Sequence, residues 1–327
     1  MDKIKIAVVG YGNIGKAVEL AVQQNPDMTP TVILTRRPPE QIKPKTPGVK
    51  VDSIDNAGNY ADLVDVAVLC GGSATDLPEQ GPLMASIFNT VDSYDTHARI
   101  PQYFSEMDRI SRKAGKTAVI STGWDPGLFS LLRVIEESVL PVGSAYTFWG
   151  PGVSQGHSDA IRQVKGVRDA RQYTIPIEKA VEKVRSGQEP TLATREKHIR
   201  DAYVVAEESA DMEQIRKDIK GMPNYFADYE TKVTFISQEE MDKNHAEMPH
   251  GGFVMRNGKT AEGYAHVLEF SVKLESNPAF TASVLLAYAR AACRMNKDGN
   301  VGAKTVFDIP ATYLSWRTAE ELRREML

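Results

Sequence analysis

The sequence is poor in cysteine and has no long apolar run. Only Cys70 and Cys293 occur among 327 residues, and neither lies in a C-x-x-C pair or near a histidine at ligand spacing. This excludes a disulfide framework and a structural zinc site, and we expect no metal. The apolar runs are far too short to span a membrane, and the N-terminal region lacks the layout of a signal peptide. We therefore expect a cytoplasmic protein without membrane contacts.

The chain also lacks an excess of positive charge. Its 39 basic and 43 acidic residues give a net charge of −4, and no basic block is mixed with aromatic residues, so we expect no nucleic acid partner. With 42% apolar and 25% charged residues, the composition is that of a globular protein. A length of 327 residues is long for one core and favours two domains.

Near the start of the chain, a short apolar stretch, residues 4–9, is followed at once by glycines. Such a stretch predicts a buried strand of a parallel sheet. Gly10 then permits a tight turn, Gly12 lets the backbone approach a pyrophosphate, and Gly15 lets the helix at 16–22 pack closely on the strand. The pattern predicts a dinucleotide site whose loop consists of Gly10, Tyr11, Gly12, Asn13, Ile14 and Gly15.

The end of the second strand indicates which dinucleotide binds. An NAD site has an acidic residue there for the ribose 2′-hydroxyl, whereas an NADP site has cations. Here the strand at 31–34 leads into Thr35, Arg36 and Arg37. Two guanidinium groups can hold a 2′-phosphate, and the threonine can add a hydroxyl. We therefore predict NADP, although two solvated surface arginines are the alternative.

Strands continue to alternate with helices up to about residue 120. A third strand is predicted at 49–52 and a fourth at 64–70, followed by small residues that let the nicotinamide half approach, although a simple turn capped by Asp76 is also consistent. Two further strand ends, at 90–95 and 117–121, each carry a carboxylate, Asp95 and Asp125. For Asp125 alone, capping of the helix at 128–140 is the simpler interpretation. We add to the cofactor site Cys70, Gly71, Gly72, Ser73, Ala74, Thr75, Asp92 and Tyr94.

From Ala145 onward, the sequence predicts strands with little helix between them, in place of the earlier alternation of strands and helices. The strand predicted at 265–274 alternates apolar and polar residues, as a half-buried strand does. We also predict an amphipathic helix at 281–295, after which the chain returns to the first domain. The fold class is thus α/β, with a Rossmann-type doubly wound parallel sheet domain (1–120 plus about 298–327) and a second α+β substrate and dimerisation domain with a mixed sheet (121–297).

Several blocks together carry a resemblance to a known family. They are Gly-Tyr-Gly-Asn-Ile-Gly-Lys (10–16), Gly-Ser-Ala-Thr-Asp (72–76), Val-Asp-Ser-Tyr-Asp (91–95), Ser-Thr-Gly-Trp-Asp-Pro-Gly (121–127), Thr-Phe-Trp-Gly-Pro-Gly-Val-Ser-Gln-Gly-His-Ser-Asp (147–159) and Met-Pro-His-Gly-Gly (248–252). The chain resembles the meso-diaminopimelate dehydrogenase family nearly end to end. The block at 147–159 is far more specific than the glycine loop.

The resemblance implies an activity. The family carries out NADP-dependent oxidative deamination at the D-configured carbon of meso-2,6-diaminopimelate, giving L-2-amino-6-oxopimelate (tetrahydrodipicolinate), ammonia and NADPH. In reverse, the reaction fixes ammonia for lysine biosynthesis. The partners implied are this substrate, ammonia and a second copy of the chain in a homodimer.

The resemblance also assigns residues. It implies that Asp95 and Asp125 hold the reacting amino group as catalytic residues, with Trp124, Gln155 and Gly156 near the reacting carboxylate. It also implies that Thr174, Arg200 and His250 bind the distal L-carboxylate, with Asn277 beside them. Trp149 should wall the cavity and Asp159 should lie near it. For His250 alone, a structural histidine would be the default, and its motif reverses that.

Two other functions remain open from the sequence. One is another NADP-dependent reductase of amino-acid metabolism with the same two-domain plan, such as a dihydrodipicolinate- or saccharopine-type reductase. The other is a non-catalytic NADP-binding regulator. The pair Asp95 and Asp125, together with Arg200 and His250, argues against the first, and a regulator has no use for acids at the carboxyl ends of the strands.

Overall fold

The computed structural model describes residues 3–327; Met1 and Asp2, where the first predicted domain begins, lie outside the described residues. The chain forms two compact units. The first comprises the chain up to Leu131 together with Pro278–Leu327, and the second is Leu132–Asn277. Segments 121–131 and 278–297, which we expected in the second domain, therefore pack with the first unit.

The first part of the chain alternates strands and helices, as the sequence predicts. Its strands are β1 Ile4–Val9, β2 Met28–Thr35, β3 Lys50–Ser53, β4 Val66–Leu69, β5 Asn89–Asp92 and β6 Thr117–Val119, and its helices are α1 Asn13–Val22, α2 Leu77–Ala85, α3 Ile100–Ala114 and α4 Leu128–Val139. Helix α2 begins at Leu77 and follows the loop after β4. Pro78 at its start fits the first turn, where no backbone N–H is needed.

The second part contains more helix than we expected. Its strands are β7 Gly143–Trp149, β8 Gly152–Val153, β9 Val167–Pro176, β10 His198–Ala206, β11 Glu230–Phe235, β12 His250–Ala261 and β13 Tyr264–Leu274. Its helices are α5 Gln155–Arg162, α6 Glu178–Arg185, α7 Thr194–Lys197, α8 Met212–Gly221 and α9 Gln238–Asn244. The longest of these helices is α8. Its cap is Asp211, whose carboxylate accepts the N–H groups of Glu213 and Gln214.

The chain then completes the first unit. The remaining elements are α10 Asn277–Lys297, β14 Gly302–Lys304, α11 Ala311–Leu314 and α12 Ala319–Met326. The chain rejoins the first unit at Pro278, about twenty residues earlier than the predicted return at about 298. Within residues 3–327, no helix is both long enough and apolar enough to cross a membrane.

The first unit is built on a seven-stranded parallel sheet in the order β14-β6-β5-β4-β1-β2-β3. This doubly wound arrangement confirms the predicted Rossmann-type fold. The strand order reverses at β1, and β4 lies beside it. Because all strands are parallel, their carboxyl ends meet at one edge of the sheet, where open α/β sheets bind their ligands.

Side chains of the sheet alternate between two apolar cores. Ile6 and Val8 face α1 and α10, whereas Ala7 and Val9 face α2 and α3. Helix α10 therefore shares one face of the sheet with α1 and is buried along most of its length. We had predicted an amphipathic helix in the second domain. That prediction is wrong because the second unit is an insertion, and sequence order does not show where a chain returns.

Arg290 of α10 fastens this helix to the N-terminal part of the first unit. Its almost fully buried guanidinium pairs with both carboxylate oxygens of Asp27 at 2.6 and 2.7 Å. It also donates to Asn25 Oδ1 and to the carbonyl of Leu314, at 2.7 Å each. Burial alone would raise the pKa of Asp27, but the guanidinium outweighs burial and the pKa lies below its usual value. Two distant parts of the chain are thereby held to one helix.

The second unit contains two sheets, a mixed one and an antiparallel one. The four-stranded sheet has the order β11-β10-β9-β8, with β10 and β11 parallel and the other pairs antiparallel. Its core-facing residues pack against α5, α8 and Phe226. The three-stranded antiparallel sheet has the order β13-β12-β7. This confirms the α+β class.

Strand β13 corrects one expectation. We predicted it to be half-buried, but nearly all of its residues are exposed in the single chain, including the apolar Val267 and Phe270. The alternating pattern of β13 therefore marks an apolar surface that the single chain leaves exposed. Strand β13 lies at the edge of its sheet.

Glu136 on α4 is a buried carboxyl group without a hydrogen-bond partner at either oxygen. Burial raises its pKa to about 7, and the charges of Arg133 and Arg256 only partly offset this. Arg256 donates instead to the backbone carbonyls of Leu140 and Pro141. The charged form of Glu136 is therefore disfavoured in the folded chain.

This geometry predicts a pH dependence of stability. The folded-state pKa lies above the unfolded value of 4.5, so the folded chain binds the extra proton and loses stability as the pH rises from about 4.5 through 7. At 1.36 kcal/mol per pKa unit, the loss is roughly 3 kcal/mol. Glu136→Gln should remove it, so Tm of the variant minus Tm of the wild type should grow by a few degrees between pH 5 and pH 8. The exposed neighbour provides the control, because Glu137→Gln should run parallel to wild type; a parallel Glu136→Gln curve would contradict the assignment.

Candidate functional site

A cleft of about 470 Å³ lies at the carboxyl ends of β1, β2 and β4 in the first unit. The predicted cofactor residues that line it are Gly10, Tyr11, Gly12, Thr35, Arg36, Arg37, Cys70, Gly71 and Gly72, joined by Leu34, Ile54, Asp76 and Gln80. Asn13, Ile14 and Gly15 form the start of α1. Ser73, Ala74 and Thr75 lie outside this lining among the described residues; Ser73 instead accepts the backbone N–H of Asp95 at 2.8 Å.

Gly15 and Gly12 of the loop are glycine for different reasons. A Cβ at Gly15 would lie 2.1 Å from the carbonyl oxygen of Gly10, so the protein's own packing requires glycine there. A Cβ at Gly12 would meet nothing within 4 Å. Packing therefore leaves Gly12 unconstrained, and the space beside it is free for a pyrophosphate at the N-terminus of α1. The residues present thus fit a dinucleotide.

The two arginines after β2 make different contacts. The Arg36 guanidinium is 62% exposed and pairs with Asp76 at 2.7 Å, across the cleft lining. The Arg37 guanidinium donates to the carbonyl of Tyr11 at 2.6 Å, and its backbone N–H donates to the Thr35 hydroxyl at 3.0 Å. Arg36 is therefore available for a 2′-phosphate, whereas Arg37 holds the glycine loop in place.

Tyr11 is anchored at its other end too. Its hydroxyl donates to the carboxylate of buried Glu19, which also accepts the backbone N–H of Thr46 at 2.5 Å. Burial, reinforced by Glu19, raises the pKa of Tyr11 to about 12. The phenol thus links the glycine loop to the segment before β3, and it is the loop backbone that faces the cleft.

Asp92 and Tyr94 correct the prediction for two side chains of the cofactor set. Asp92 is fully buried, accepting the backbone N–H groups of Tyr94 and Ser121 at 3.0 Å each and the Tyr103 hydroxyl at 2.8 Å. Burial raises its pKa to about 6 against these hydrogen bonds. The Tyr94 ring stacks on Tyr103 at 4.1 Å. Both side chains therefore tie β5 to its neighbours in the core and do not line the cleft.

Asp95 and Asp125 follow neighbouring strands, β5 and β6, at the carboxyl edge of the same sheet. The loop carrying Asp125 is closed by hydrogen bonds from Gly123 N–H to the Pro126 carbonyl and from Leu128 N–H to the Gly123 carbonyl, both 2.9 Å. Helix α4 begins only at Leu128, so Asp125 lies outside its cap position. The two acids belong to the edge that carries the cofactor cleft. Trp124, which directly precedes Asp125, is buried, and its ring lies edge-on to that of Phe129 with 5.4 Å between the ring centroids.

The second unit places its functional residues in one row across the four-stranded sheet. Arg200 lies opposite Thr231 on β11 and Thr174 on β9, and Thr174 lies opposite Gly152 on β8. A Cβ at Gly152 would lie 2.3 Å from the Cα of His250, so this glycine lets His250 approach the row. The structure thus brings together the three residues predicted for a carboxylate, namely Thr174, Arg200 and His250.

Arg200 is a buried cation among polar but uncharged neighbours, Thr174 and Thr231. One of its terminal nitrogens donates to the Thr174 hydroxyl, its Nε has no hydrogen-bond partner, and its face lies against the Tyr229 ring. Within the described part of the chain it forms no ion pair with a carboxylate. Burying an unpaired charge is costly, so this site is built to receive an anion.

Three histidines around Arg200 are kept neutral. Burial lowers the pKa of His157 and of His198 to about 3 each, and it also lowers that of His250; the Arg200 charge acts in the same direction on all three. His250 Nδ1 lies 2.8 Å from the Gly251 nitrogen and 3.0 Å from the Gly251 carbonyl oxygen. Arg200 therefore remains the positive charge of this cluster.

The other predicted substrate residues fall into two groups. The Gln155 amide donates to the Met248 sulfur at 3.2 Å, and the Asn277 N–H donates to the Met248 carbonyl at 2.9 Å, with Gly156 exposed in the first turn of α5. Trp149 stacks on His198, whose Nε2 accepts the Trp149 backbone N–H at 2.8 Å. Asp159, which we expected near the cavity, lies on the exposed side of α5 and pairs with Arg162.

Sequence reasoning missed His198 and Tyr229. His198 precedes Arg200 by two residues on a strand and so shares its face, a signal that the period of two could have provided. Tyr229 had no such signal, because its position depends on the pairing of β11 with β10.

Comparison with known proteins shows what this chain is similar to. A family model described as the diaminopimelic acid dehydrogenase C-terminal domain matches residues 123–276. A meso-diaminopimelate D-dehydrogenase of Ureibacillus thermosphaericus is 59% identical over 327 residues, with 100% of both chains covered. Among solved structures, a C. glutamicum DAP dehydrogenase in complex with DAP has 45% identity and a TM-score of 0.94, with 100% of both chains covered. An engineered D-amino acid dehydrogenase bound to NADP+ has 43% identity and a TM-score of 0.89, covering 99% of this chain and 100% of that one.

Because the two arginines make different contacts, we expect their substitution to weaken nucleotide binding in different ways. Arg36→Ala should weaken NADP+ binding by about tenfold and leave NAD+ binding nearly unchanged, because a charge-assisted hydrogen bond to the 2′-phosphate is lost. Arg37→Ala should weaken both nucleotides by about fivefold, because the loop that both use loses its tie to Tyr11. Titration calorimetry measures these constants, with the exposed Arg324→Ala as control. Equal losses of both nucleotides in Arg36→Ala would contradict the assignment.

Proposed function

Because the chain belongs to the meso-diaminopimelate D-dehydrogenase family, we propose that it catalyses the reversible NADP-dependent oxidative deamination of the D-centre of meso-2,6-diaminopimelate. The substrate and water give L-2-amino-6-oxopimelate and ammonium, while NADP+ becomes NADPH with release of a proton. In the reverse direction the reaction fixes ammonia for lysine biosynthesis. The observation that carries the proposal is Arg200, a buried cation without a carboxylate partner in the described chain, next to Thr174 and neutral His250.

The cofactor residues divide the work of binding. The N-terminus of α1 with Gly12 suits the pyrophosphate, and Arg36 suits the 2′-phosphate. When bound, NADP+ supplies the hydride acceptor. Arg37 and Tyr11 hold the loop backbone in the shape that binding requires, which lowers the entropic cost of binding.

The protein's own groups orient the substrate and take up its proton. We assign the reacting ammonium group to Asp95 and Asp125, one of which accepts its proton at a carboxylate oxygen, so that the nitrogen lone pair can support loss of hydride from the D-carbon. Trp124, Gln155 and Gly156 are assigned to the reacting carboxylate. Arg200, Thr174 and His250 are assigned to the distal carboxylate, with Asn277 beside them and Trp149 against the carbon chain. Holding both ends of the substrate selects one orientation.

We further propose that the chain is a homodimer that works in the cytoplasm, the compartment expected from its sequence. The support for the dimer is the edge strand β13, whose exposed Tyr264, Val267 and Phe270 need a partner surface. Sedimentation equilibrium should give the mass of two chains, and Phe270→Lys should shift it toward one. Phe307→Lys, in the first unit, should not. A single-chain mass for the wild type would contradict this proposal.

The function is tested by the stereochemistry of its substrate. NADP+ reduction should occur with meso-diaminopimelate and with the DD isomer to a lesser degree, and not with the LL isomer, which has no D-centre. Asp125→Asn and Asp95→Asn should each lower kcat at least about 100-fold, in the range of general acid-base catalysis, and leave the Kd of NADPH within about twofold. Unchanged kcat in both variants would remove the acids from the site, and turnover of the LL isomer would contradict the reaction.

The assignment of Arg200 to the distal carboxylate is tested by the substrate specificity of a variant. Arg200→Met keeps the aliphatic stem and removes the charge, so diaminopimelate should lose about 10- to 200-fold in kcat/KM, the equivalent of roughly 1.5–3 kcal/mol. D-norleucine should gain, because its apolar end no longer leaves a buried cation unpaired. Thr174→Ile and His250→Asn should act in the same direction but not additively. The matched control is Arg195→Met at an exposed position; an unchanged ratio of the two substrates in Arg200→Met would exclude Arg200 as the distal anchor.

A further inference from the structure

Tyr229 contacts the Arg200 side chain from the neighbouring strand. Its ring centroid lies 3.9 Å from the guanidinium carbon. Tyr229 directly precedes β11, and Thr231, two residues later, pairs with Arg200. Because side chains two residues apart share a face of a sheet, strand pairing brings the ring to the same side as Arg200. The contact is therefore a product of the sheet register.

The contacts of the guanidinium leave a defined part of it for a ligand. The Thr174 hydroxyl takes one terminal nitrogen and the Tyr229 ring covers one face. Nε has no hydrogen-bond partner and is buried. A guanidinium group is planar and binds a carboxylate in its own plane, so a ring stacked on its face fixes the plane in which the carboxylate must lie.

The segment before β11 has another residue for its packing. Phe226 is fully buried and belongs to the apolar core with α5 and α8, whereas Tyr229 is only half-buried and lies outside that core. Residues 227 and 228 between them are exposed. The segment is thus anchored by Phe226, and the large aromatic ring of Tyr229 is not needed to hold it.

We propose that Tyr229 is a positioning residue for the substrate's distal carboxylate: by stacking on Arg200 it fixes the plane of the guanidinium and so sets the preference for a dicarboxylate over a D-amino acid with an apolar end. The proposal rests on the proposed function, in which Arg200 binds that carboxylate. A cation against an aromatic face is most strongly held when water is excluded, as it is here.

The test compares Tyr229→Leu, Tyr229→Phe and Arg200→Met, each with meso-diaminopimelate and with D-norleucine. Tyr229→Leu should raise KM for meso-diaminopimelate about tenfold, with kcat within about twofold, and leave kcat/KM for D-norleucine within about twofold. Tyr229→Phe keeps the ring and should stay within about threefold of wild type. In the Arg200→Met background, Tyr229→Leu should have no further effect on the substrate ratio. Tyr225→Leu, the same change on the same segment, is the control.

The outcomes separate this inference from the function on which it rests. If Arg200→Met changes the substrate ratio and Tyr229→Leu does not, the inference fails and the function stands. If neither variant changes the ratio, the assignment of Arg200 itself fails. A loss in Tyr229→Leu that is equal for both substrates, or that also appears in Arg200→Met, indicates a structural role and overturns the inference. Should the leucine variant fail to fold, Tyr229→Met fills the space without an aromatic face and carries the same expectation.

Discussion

All strands of the first unit run in the same direction, and this constraint decides where its chemistry can occur. Parallel strands need crossover helices on both faces, so the faces are covered and the carboxyl edge remains accessible. The glycine loop, the arginines after β2, the loop after β4 and the two acids after β5 and β6 all lie at that edge because each follows a strand. The parallel direction of the strands is therefore what gathers these loops at one side of a single sheet.

The sequence predicts this edge well because strand ends and glycines are local signals. Gly10, Gly12 and Arg36 appear in the cleft where their spacing places them. Burial is not a local signal, so Asp92 and Tyr94 were assigned to the cofactor although their side chains complete the core. Asp159 was assigned through the resemblance, which carries no information on the exposure of its side chain. Helix α10 was placed in the wrong unit because nothing along the chain marks the end of an insertion. Tyr229 depends on strand pairing, which no motif encodes.

In the second unit, Arg200 stays charged while the buried histidines around it stay neutral. Histidines beside a carboxylate would gain protons, but those beside Arg200 lose them, since burial and the neighbouring cation both disfavour a second charge. The anion site therefore has a net charge of one, matched to one carboxylate. The nearby hydroxyl and imidazole groups add hydrogen bonds without adding charge. In the proposed function, selectivity for a dicarboxylate follows from the penalty on leaving this cation unpaired.

The division of the first unit into two stretches of chain has a consequence for synthesis on the ribosome. Residues 132–277 form a continuous unit with its own two sheets, and all of them have been synthesised before α10 and β14 are made. The first unit, by contrast, has one face of its sheet covered only in part, by α1, and Asp27 without Arg290 until the last fifty residues emerge. The order of folding therefore inverts the order of translation: the inserted unit can fold as it emerges, and the nucleotide-binding unit is completed only at the end.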